Sequence, residues 1–178
     1  TLQARANILH QLYNDYHLDN LIEDYPETRV RFFLMTCFKN SSDKLLEEFR
    51  RIISKLRKGE MMVIEWRGKP IYVVRHTDKS LELLNQNIER LSDPDSQQDQ
   101  QPDYAKNENR SIRPDVVVLE AVCTHLSCAP TFYPQIGVTD FDDDWQGGFF
   151  CPCHGSKFDL AGRVYSGVPA PTNMLVPP

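Results

Sequence analysis

Two short boxes rich in cysteine and histidine constrain this chain more than any other feature. They contain four of its five cysteines and two of its five histidines. The boxes read Cys123-Thr-His125-Leu-Ser-Cys128 and Cys151-Pro-Cys153-His154-Gly-Ser156. Only 22 residues separate the last cysteine of the first box from the first cysteine of the second. Cysteines clustered beside histidines indicate a metal site rather than the disulfide framework of a small secreted fold.

The side chains of the two boxes fit two kinds of metal centre. Cys-x-His in the first box and Cys-x-x-His in the second each place one thiolate and one imidazole on a tight loop. Two thiolates and two imidazoles can hold a single tetrahedral zinc ion. The same set can hold a [2Fe–2S] cluster, with both thiolates on one iron and both imidazoles on the other. The spacing of the boxes leaves both centres open.

Three further features favour the cluster over zinc. Each box carries an additional cysteine, Cys128 or Cys153, for which a zinc site with four ligands has no use, whereas a disulfide between them would join the two loops. The hydroxyl of Ser156 can donate a hydrogen bond to a cluster sulfur, which stabilises the reduced state. The segment Gly167-Val-Pro169-Ala-Pro171 can form a stiff loop that shields a cluster from water.

The overall composition excludes some classes of function. The formal net charge of the 178 residues is −5, which argues against a nucleic-acid-binding protein, because such proteins are usually basic. No stretch approaches the roughly 18 consecutive apolar residues that a membrane-spanning helix needs. There is also no basic segment followed by an apolar one, so the sequence shows no secretory signal.

The pattern of apolar residues divides the chain into a helical segment and a β-rich part. Apolar spacing predicts helices within residues 1–57. Beyond residue 57 the sequence predicts a β-hairpin at residues 61–75 and a buried strand at Asp115–Val122. Residues 92–110 lie between these elements and are almost free of apolar side chains, which predicts an exposed loop or a mobile excursion of the chain.

The two boxes and the proline-containing segment together resemble the Rieske iron–sulfur protein family, in which they occur in the same order. The resemblance covers residues 53–178 and includes the Trp-Arg-Gly-Lys-Pro turn of the predicted hairpin. Within the family, the sequence is most similar to the iron–sulfur subunits of proteobacterial ubiquinol–cytochrome c reductases. Residues 1–50 resemble no part of the family.

The resemblance implies a role for each cysteine and histidine of the boxes. One [2Fe–2S] cluster would be held by Cys123, His125, Cys151 and His154. The remaining two cysteines, Cys128 and Cys153, would form a disulfide. Rieske oxygenases and their soluble ferredoxins usually lack this pair, so its presence favours the quinol-oxidising class.

The resemblance also implies the fold. We expect a mainly β protein, in which an antiparallel Rieske-type β sandwich with a small cluster-binding subdomain follows a helical N-terminal segment. The expected boundaries are residues 1–57 for the helical segment and 58–178 for the Rieske domain, with the cluster-binding subdomain at about residues 121–171.

The function implied by the resemblance is one-electron, proton-coupled transfer from quinol to a c-type cytochrome within a cytochrome bc complex. His154 is expected to be the exposed imidazole that hydrogen-bonds a quinol docked at the cytochrome b subunit, and His125 is the second imidazole that takes part. The chain would lie at the periplasmic face of the bacterial inner membrane, associated with the membrane through the complex. Two alternatives are a soluble Rieske ferredoxin that serves an oxygenase and a structural zinc module.

Overall fold

The structure is a computed structural model that describes residues 51, 53–86 and 88–177. Within this part of the chain it is mainly β, with antiparallel sheets and a single α-helix of more than one turn. This agrees with the mainly β fold expected from the sequence. The helices predicted within residues 1–50 lie outside the described residues, and the boundary proposed near residue 57 stays a prediction.

A three-stranded antiparallel sheet forms the base of the fold. Its strands are β1 (Met61–Trp66), β2 (Lys69–Arg75) and β3 (Val116–Glu120), with β2 in the centre. The predicted hairpin and buried strand are therefore present. The two residues between β1 and β2, Arg67 and Gly68, both have positive φ (51° and 76°), as in the tight turns that match the twist of paired strands.

Two smaller sheets follow β3, with the first cysteine-rich box before them and the second box within the first of them. The first pairs β4 (Thr131–Tyr133) with β7 (Gly148–Cys151), and β7 with β8 (Ser156–Phe158). The second is a hairpin of β5 (Gly137–Thr139) and β6 (Asp142–Trp145). Since β7 ends at the first cysteine of the second box and β8 begins at its serine, this box is the turn between two paired strands.

Close packing of β7 against the chain after β8 requires glycine at position 148. A Cβ atom built on Gly148 would lie 2.0 Å from the carbonyl oxygen of Phe158, and the glycine has a φ of 147°. Any larger residue would therefore push the two strands apart. The second box depends on this contact, because both of its ends are fixed by the same pair of strands.

Short helices lie in the connection between β2 and β3 of the base sheet. The α-helix α1 (Asp78–Leu84) starts after Thr77, whose side-chain oxygen accepts a hydrogen bond of 3.0 Å from the N–H of Ser80. Two 3₁₀ turns follow at Ile88–Arg90 and Asp103–Ala105. No helix in the described ranges is long and apolar enough to cross a membrane.

The prediction of an exposed loop at residues 92–110 is wrong for part of the segment. The segment has little secondary structure, but several of its residues are buried, among them Ser96, Ala105 and Arg110. The guanidinium of Arg110 donates hydrogen bonds of 3.3 and 3.2 Å to the carbonyl oxygens of Ala161 and Gly162. Polar side chains thus fix this segment by bonding to buried backbone groups, an arrangement that composition alone does not reveal.

Candidate metal centre

The two thiols expected to bind metal lie at the ends of strands and are almost fully buried. Cys123 follows β3 and is 1% exposed, and Cys151 ends β7 and is 2% exposed. The loop after each cysteine turns back on it through backbone hydrogen bonds. Ser127 donates to the carbonyl oxygen of Cys123 (3.0 Å), and Gly155 donates to that of Cys151 (2.9 Å). Both boxes are therefore tight turns that begin at a buried sulfur.

The remaining two cysteines of the boxes form a disulfide. Cys128 and Cys153 are covalently joined, with their Cα atoms 6.6 Å apart. The sulfur of Cys151 lies within 4.8 Å of both disulfide sulfurs. These three sulfurs are close enough together to resemble a metal site, but two of them are bonded to each other in the disulfide. The free sulfurs of the described residues are those of Cys123 and Cys151.

The two box histidines face each other beside these thiols. The ring centroids of His125 and His154 are 4.8 Å apart, and the ring planes are almost perpendicular, at 85°. His154 is exposed and His125 is half-buried. The Nδ1 atom of His125 is buried and has no hydrogen-bond partner. A buried ring nitrogen without a partner has a lone pair available for a metal ion.

The local environment keeps the Cys151 thiol neutral in the absence of metal. Burial is the main cause that raises the pKa of Cys151, and the neighbouring Cys123 thiol raises it further. Hydrogen bonds from the backbone N–H groups of Cys153 and His154 act in the opposite direction and lower it. These N–H groups are directed at the sulfur and would stabilise a thiolate once a cation displaced the proton.

A third loop packs against both boxes. We call residues 167–172 the proline loop. Its Ala170 N–H donates a hydrogen bond of 3.0 Å to the hydroxyl oxygen of Ser156, which is fully buried. On the other side, the hydroxyl of Thr124 donates to the carbonyl oxygen of Thr172 at 2.7 Å. Because the Ser156 oxygen accepts from Ala170, its own proton remains available for a further acceptor.

The proline loop contains the three residues that the sequence analysis assigned to shielding. Gly167, Pro169 and Pro171 are exposed, and Ala170 between the two prolines is buried. The loop therefore presents its prolines to solvent and its alanine to the second box. The shielding role of these three residues stays a prediction.

The side chains of the site fit a [2Fe–2S] cluster with mixed ligands. Two buried thiols, two adjacent imidazoles and a ring nitrogen without a partner provide two sulfur and two nitrogen donors. In Rieske centres two histidines take the place of two cysteines on one iron. The Ser156 hydroxyl has a free proton for an acceptor such as an inorganic sulfide. Two sulfur and two nitrogen donors would also suit zinc, so the donor set alone does not separate the two centres.

Comparison with known protein families decides between them. Residues 96–178 match the family described as Rieske [2Fe-2S] domain. The chain contains a Rieske domain. Its cofactor is accordingly a Rieske-type [2Fe–2S] cluster. The alternative of a structural zinc module is therefore rejected. The assignment of individual ligands stays a prediction.

Curated relatives of the chain are named as subunits of a ubiquinol–cytochrome c reductase or of a cytochrome b-c1 complex. The chain is 52% identical over 125 residues to "Ubiquinol-cytochrome c reductase iron-sulfur subunit" of Allochromatium vinosum, covering 70% of this chain and 60% of that protein. It is 40% identical over 126 residues to "Cytochrome b-c1 complex subunit Rieske, mitochondrial" of Solanum tuberosum, covering 70% of this chain and 40% of that protein. The chain thus spans less than two thirds of the length of either relative.

A solved structure also matches the chain. A chain of "Hyperthermophilic respiratory Complex III" is 26% identical, with a TM-score of 0.42, and the match covers 71% of this chain and 63% of that chain.

Sequence reasoning missed two hydroxyl groups that hold the site together. Thr124 lies inside the first box, so its proximity to the predicted ligands could have drawn attention to it. The hydroxyl of Tyr72 donates a buried hydrogen bond of 2.7 Å to the carbonyl oxygen of Pro130, just after the first box. Tyr72 is on β2, 58 residues away in sequence, and no local pattern indicates this contact.

Proposed function

We propose that this chain is the iron–sulfur subunit of a quinol-oxidising cytochrome bc complex and passes single electrons from quinol to a c-type cytochrome. The observation that carries the proposal is the arrangement of the two boxes. Two buried thiols and two adjacent imidazoles lie on loops that a disulfide joins. The similarity to the Allochromatium vinosum subunit supports the same function.

The cluster would be held by Cys123, His125, Cys151 and His154. When bound, it supplies a one-electron carrier to the protein. The protein contributes the ligand geometry, the hydrogen bonds to the sulfurs and the exclusion of water. The Ser156 hydroxyl, fixed by the Ala170 N–H, would donate to a cluster sulfur and stabilise the more negative reduced state.

The exposed face of the site favours His154 as the group that meets quinol. The ring of His154 is exposed beside the half-buried His125. Leu126, between the ligands of the first box and the disulfide, is 64% exposed, so an apolar side chain lies at the surface of the same loop. We propose that the outer nitrogen of His154 hydrogen-bonds the quinol hydroxyl and receives its proton, while Leu126 contacts the docking surface on the cytochrome b subunit.

These proposals also give the partners and the location. The partners would be a cytochrome b subunit and a c-type cytochrome, and quinol would be the electron donor. The site would lie at the periplasmic face of a bacterial inner membrane, and the chain would associate with the membrane through the complex.

The test is purification of the whole chain from its native membrane, followed by spectroscopy. We expect b- and c-type cytochromes to copurify with the chain. We also expect a [2Fe–2S] spectrum and a reduction potential in the upper part of the Rieske range of about −150 to +300 mV. A chain that carries the cluster at a low potential and copurifies with an oxygenase instead would establish the soluble ferredoxin and refute our proposal.

A further inference from the structure

The proline loop is fastened at both ends to one polar segment, residues 90–100, which we call the support segment. Before the loop, the N–H of Ser166 donates to the carbonyl oxygen of Arg90 at 2.8 Å. After the loop, the N–H of Val176 donates to the carbonyl oxygen of Gln100 at 2.9 Å. The two ends of the loop are therefore held against the same stretch of chain.

The side chain of Asn173 connects the chain before the proline loop, the chain after it and the support segment. It is fully buried and directly follows the proline loop. Its Oδ1 accepts a hydrogen bond of 2.8 Å from the N–H of Val164, which precedes the loop. Its Nδ2 donates to the carbonyl oxygen (3.0 Å) and the carboxylate (3.4 Å) of Asp93 in the support segment. Asn173 thus ties the two ends of the proline loop to each other and to the support segment.

Asp93, which accepts the hydrogen bonds from Asn173, is itself held in place by hydrogen bonds. Asp93 is 6% exposed, and its two carboxylate oxygens accept hydrogen bonds from the backbone N–H groups of Gln97 (2.8 Å) and Gln98 (3.1 Å). A carboxylate held by backbone donors cannot follow a moving loop without losing them. The buried Asp93 therefore provides a fixed anchor for Asn173 within the support segment.

We infer that Asn173 is a positioning residue for the cluster site, acting through the proline loop on Ser156. The loop delivers the Ala170 N–H to the Ser156 hydroxyl, and this hydrogen bond leaves the hydroxyl proton directed away from the loop. The position of Ala170 depends on the two loop ends that Asn173 joins. The inference rests on the proposed function, because the role of Ser156 is to donate that proton to a cluster sulfur.

The physical consequence of removing Asn173 is a loosened loop. Alanine at this position leaves the buried Val164 N–H without its acceptor and removes the hydrogen bonds from Asn173 to the carbonyl oxygen and carboxylate of Asp93. The loop keeps its other backbone bonds, so we expect the fold to persist while the position of Ala170 becomes less well defined. The Ser156 hydroxyl is then less often oriented toward the cluster.

The test measures the reduction potential of the [2Fe–2S] cluster in the whole chain by protein-film voltammetry. We expect Asn173→Ala to lower the potential, in the same direction as Ser156→Ala. If Asn173 acts through Ser156, adding Asn173→Ala to Ser156→Ala will lower the potential no further. Amide hydrogen exchange should also be faster at Ala170 in the Asn173→Ala variant.

A matched control separates positioning from general loss of stability. Asn107 also uses its side-chain amide to hold backbone in the same polar region, donating to the carbonyl oxygens of Tyr104 (3.1 Å) and Ser111 (3.0 Å). It makes no hydrogen bond to the proline loop. We expect Asn107→Ala to lower the thermal midpoint but to leave the potential unchanged.

The outcomes distinguish this inference from the proposed function. A wild-type chain without a [2Fe–2S] spectrum would refute the proposed function itself. A wild-type chain with its cluster, but with the same potential in Asn173→Ala, would refute only the role of Asn173. The role of Asn173 would also fail if the shift persisted in full in the Ser156→Ala background. If Asn173→Ala does not fold, Asn173→Ser is measured in its place, with the same expected direction.

Discussion

The base sheet and the loops of the metal centre are stabilised in different ways. In the base, β2 contributes Ile71 and Val73 to an apolar core from which water is excluded. At the metal centre, Leu126 and His154 face solvent, and the loops are held by a disulfide and by hydrogen bonds to backbone carbonyls. Burial of apolar surface accounts for the first region, and local covalent and polar restraints account for the second.

The proposed function gives a reason for this difference. A site that exchanges electrons with partners must be exposed, so it cannot be surrounded by an apolar core. The buried thiols of Cys123 and Cys151 belong to the core that lies under the loops, together with Phe149 and Phe158. The two cysteine donors are therefore anchored in the core. The exposed parts of the loops are held by the disulfide and by hydrogen bonds, which do not cover the surface.

The largest expected effect is loss of the cluster when a ligand is removed. Serine and alanine supply neither a thiolate nor an imidazole, so Cys123→Ser and His154→Ala should abolish the [2Fe–2S] spectrum. Iron content and visible absorption measure this. The matched control is Cys37→Ser, the same substitution outside the boxes, which should retain the full spectrum. A variant that keeps the spectrum would remove that residue from the ligand set.

The metal centre was more predictable from the sequence than its surroundings. Within each box the donors lie close together in sequence, so spacing and chemistry identified the candidate donors, and the resemblance to the Rieske family implied which cysteines pair. The apolar, strand-like runs of β1 and β2 on either side of the Arg67–Pro70 turn likewise predicted the hairpin. These are local signals, read over fewer than about ten residues.

There is a physical reason why the hydrogen bonds of residues 92–110 could not be predicted from the sequence. The buried positions within residues 92–110 depend on hydrogen bonds to chain segments that are far away in sequence, such as those from Arg110 to Ala161 and Gly162. The same holds for the bonds of Asn173 to Asp93, 80 residues apart. Polar composition indicates exposure unless the partners are known, and the sequence does not identify the partners.

A cavity in the base should weaken the fold but leave the donors in place. Ile71→Ala removes most of a fully buried side chain, which typically lowers the free energy of unfolding by about 2–5 kcal/mol. We expect a lower midpoint in chemical denaturation and an unchanged [2Fe–2S] spectrum below the transition. Val63→Ala, on the same sheet at a position 56% exposed, should change stability by less than about 0.5 kcal/mol. A cluster lost before the fold unfolds would contradict the separation of the two regions.

Ile71→Ala should affect mainly the stability of the fold. Removing the disulfide should instead have its clearest effect at the metal centre. Cys128 and Cys153 are 25 residues apart, and a loop of this size contributes about 3 kcal/mol in the chain-entropy description. In the double variant Cys128→Ser, Cys153→Ser we expect the cluster to be lost faster in the presence of an iron chelator. The wild-type protein treated with a thiol reductant should behave in the same way. Equal rates of cluster loss in the variant and the untreated wild type would show that the disulfide does not hold the loops.

The smallest effect is an acid sensitivity of the base that does not involve the metal centre. His76 follows β2, is 1% exposed, and neither of its ring nitrogens has a hydrogen-bond partner. Burial lowers the pKa of His76 to about 4, and the negative charges of Asp159 and Asp115 oppose this shift only in part. Between pH 4 and the ordinary histidine pKa of about 6.5, the unfolded chain therefore binds a proton that the folded chain excludes. The stabilising contribution of the neutral ring is complete above pH 6.5 and is lost as the pH falls.

The measurement is the free energy of unfolding between pH 6.5 and pH 5, a window above the titration of most carboxylates. We expect the wild-type protein to lose about 1–2 kcal/mol across it, since one excluded proton changes stability by up to about 1.4 kcal/mol per pH unit. The variant His76→Gln has no group that titrates at this position, so its stability should change less across the same window, whatever its absolute value. Parallel slopes for the two proteins would mean that His76 binds its proton equally well in the folded and unfolded states. In that case the acid sensitivity would have to arise from another part of the chain.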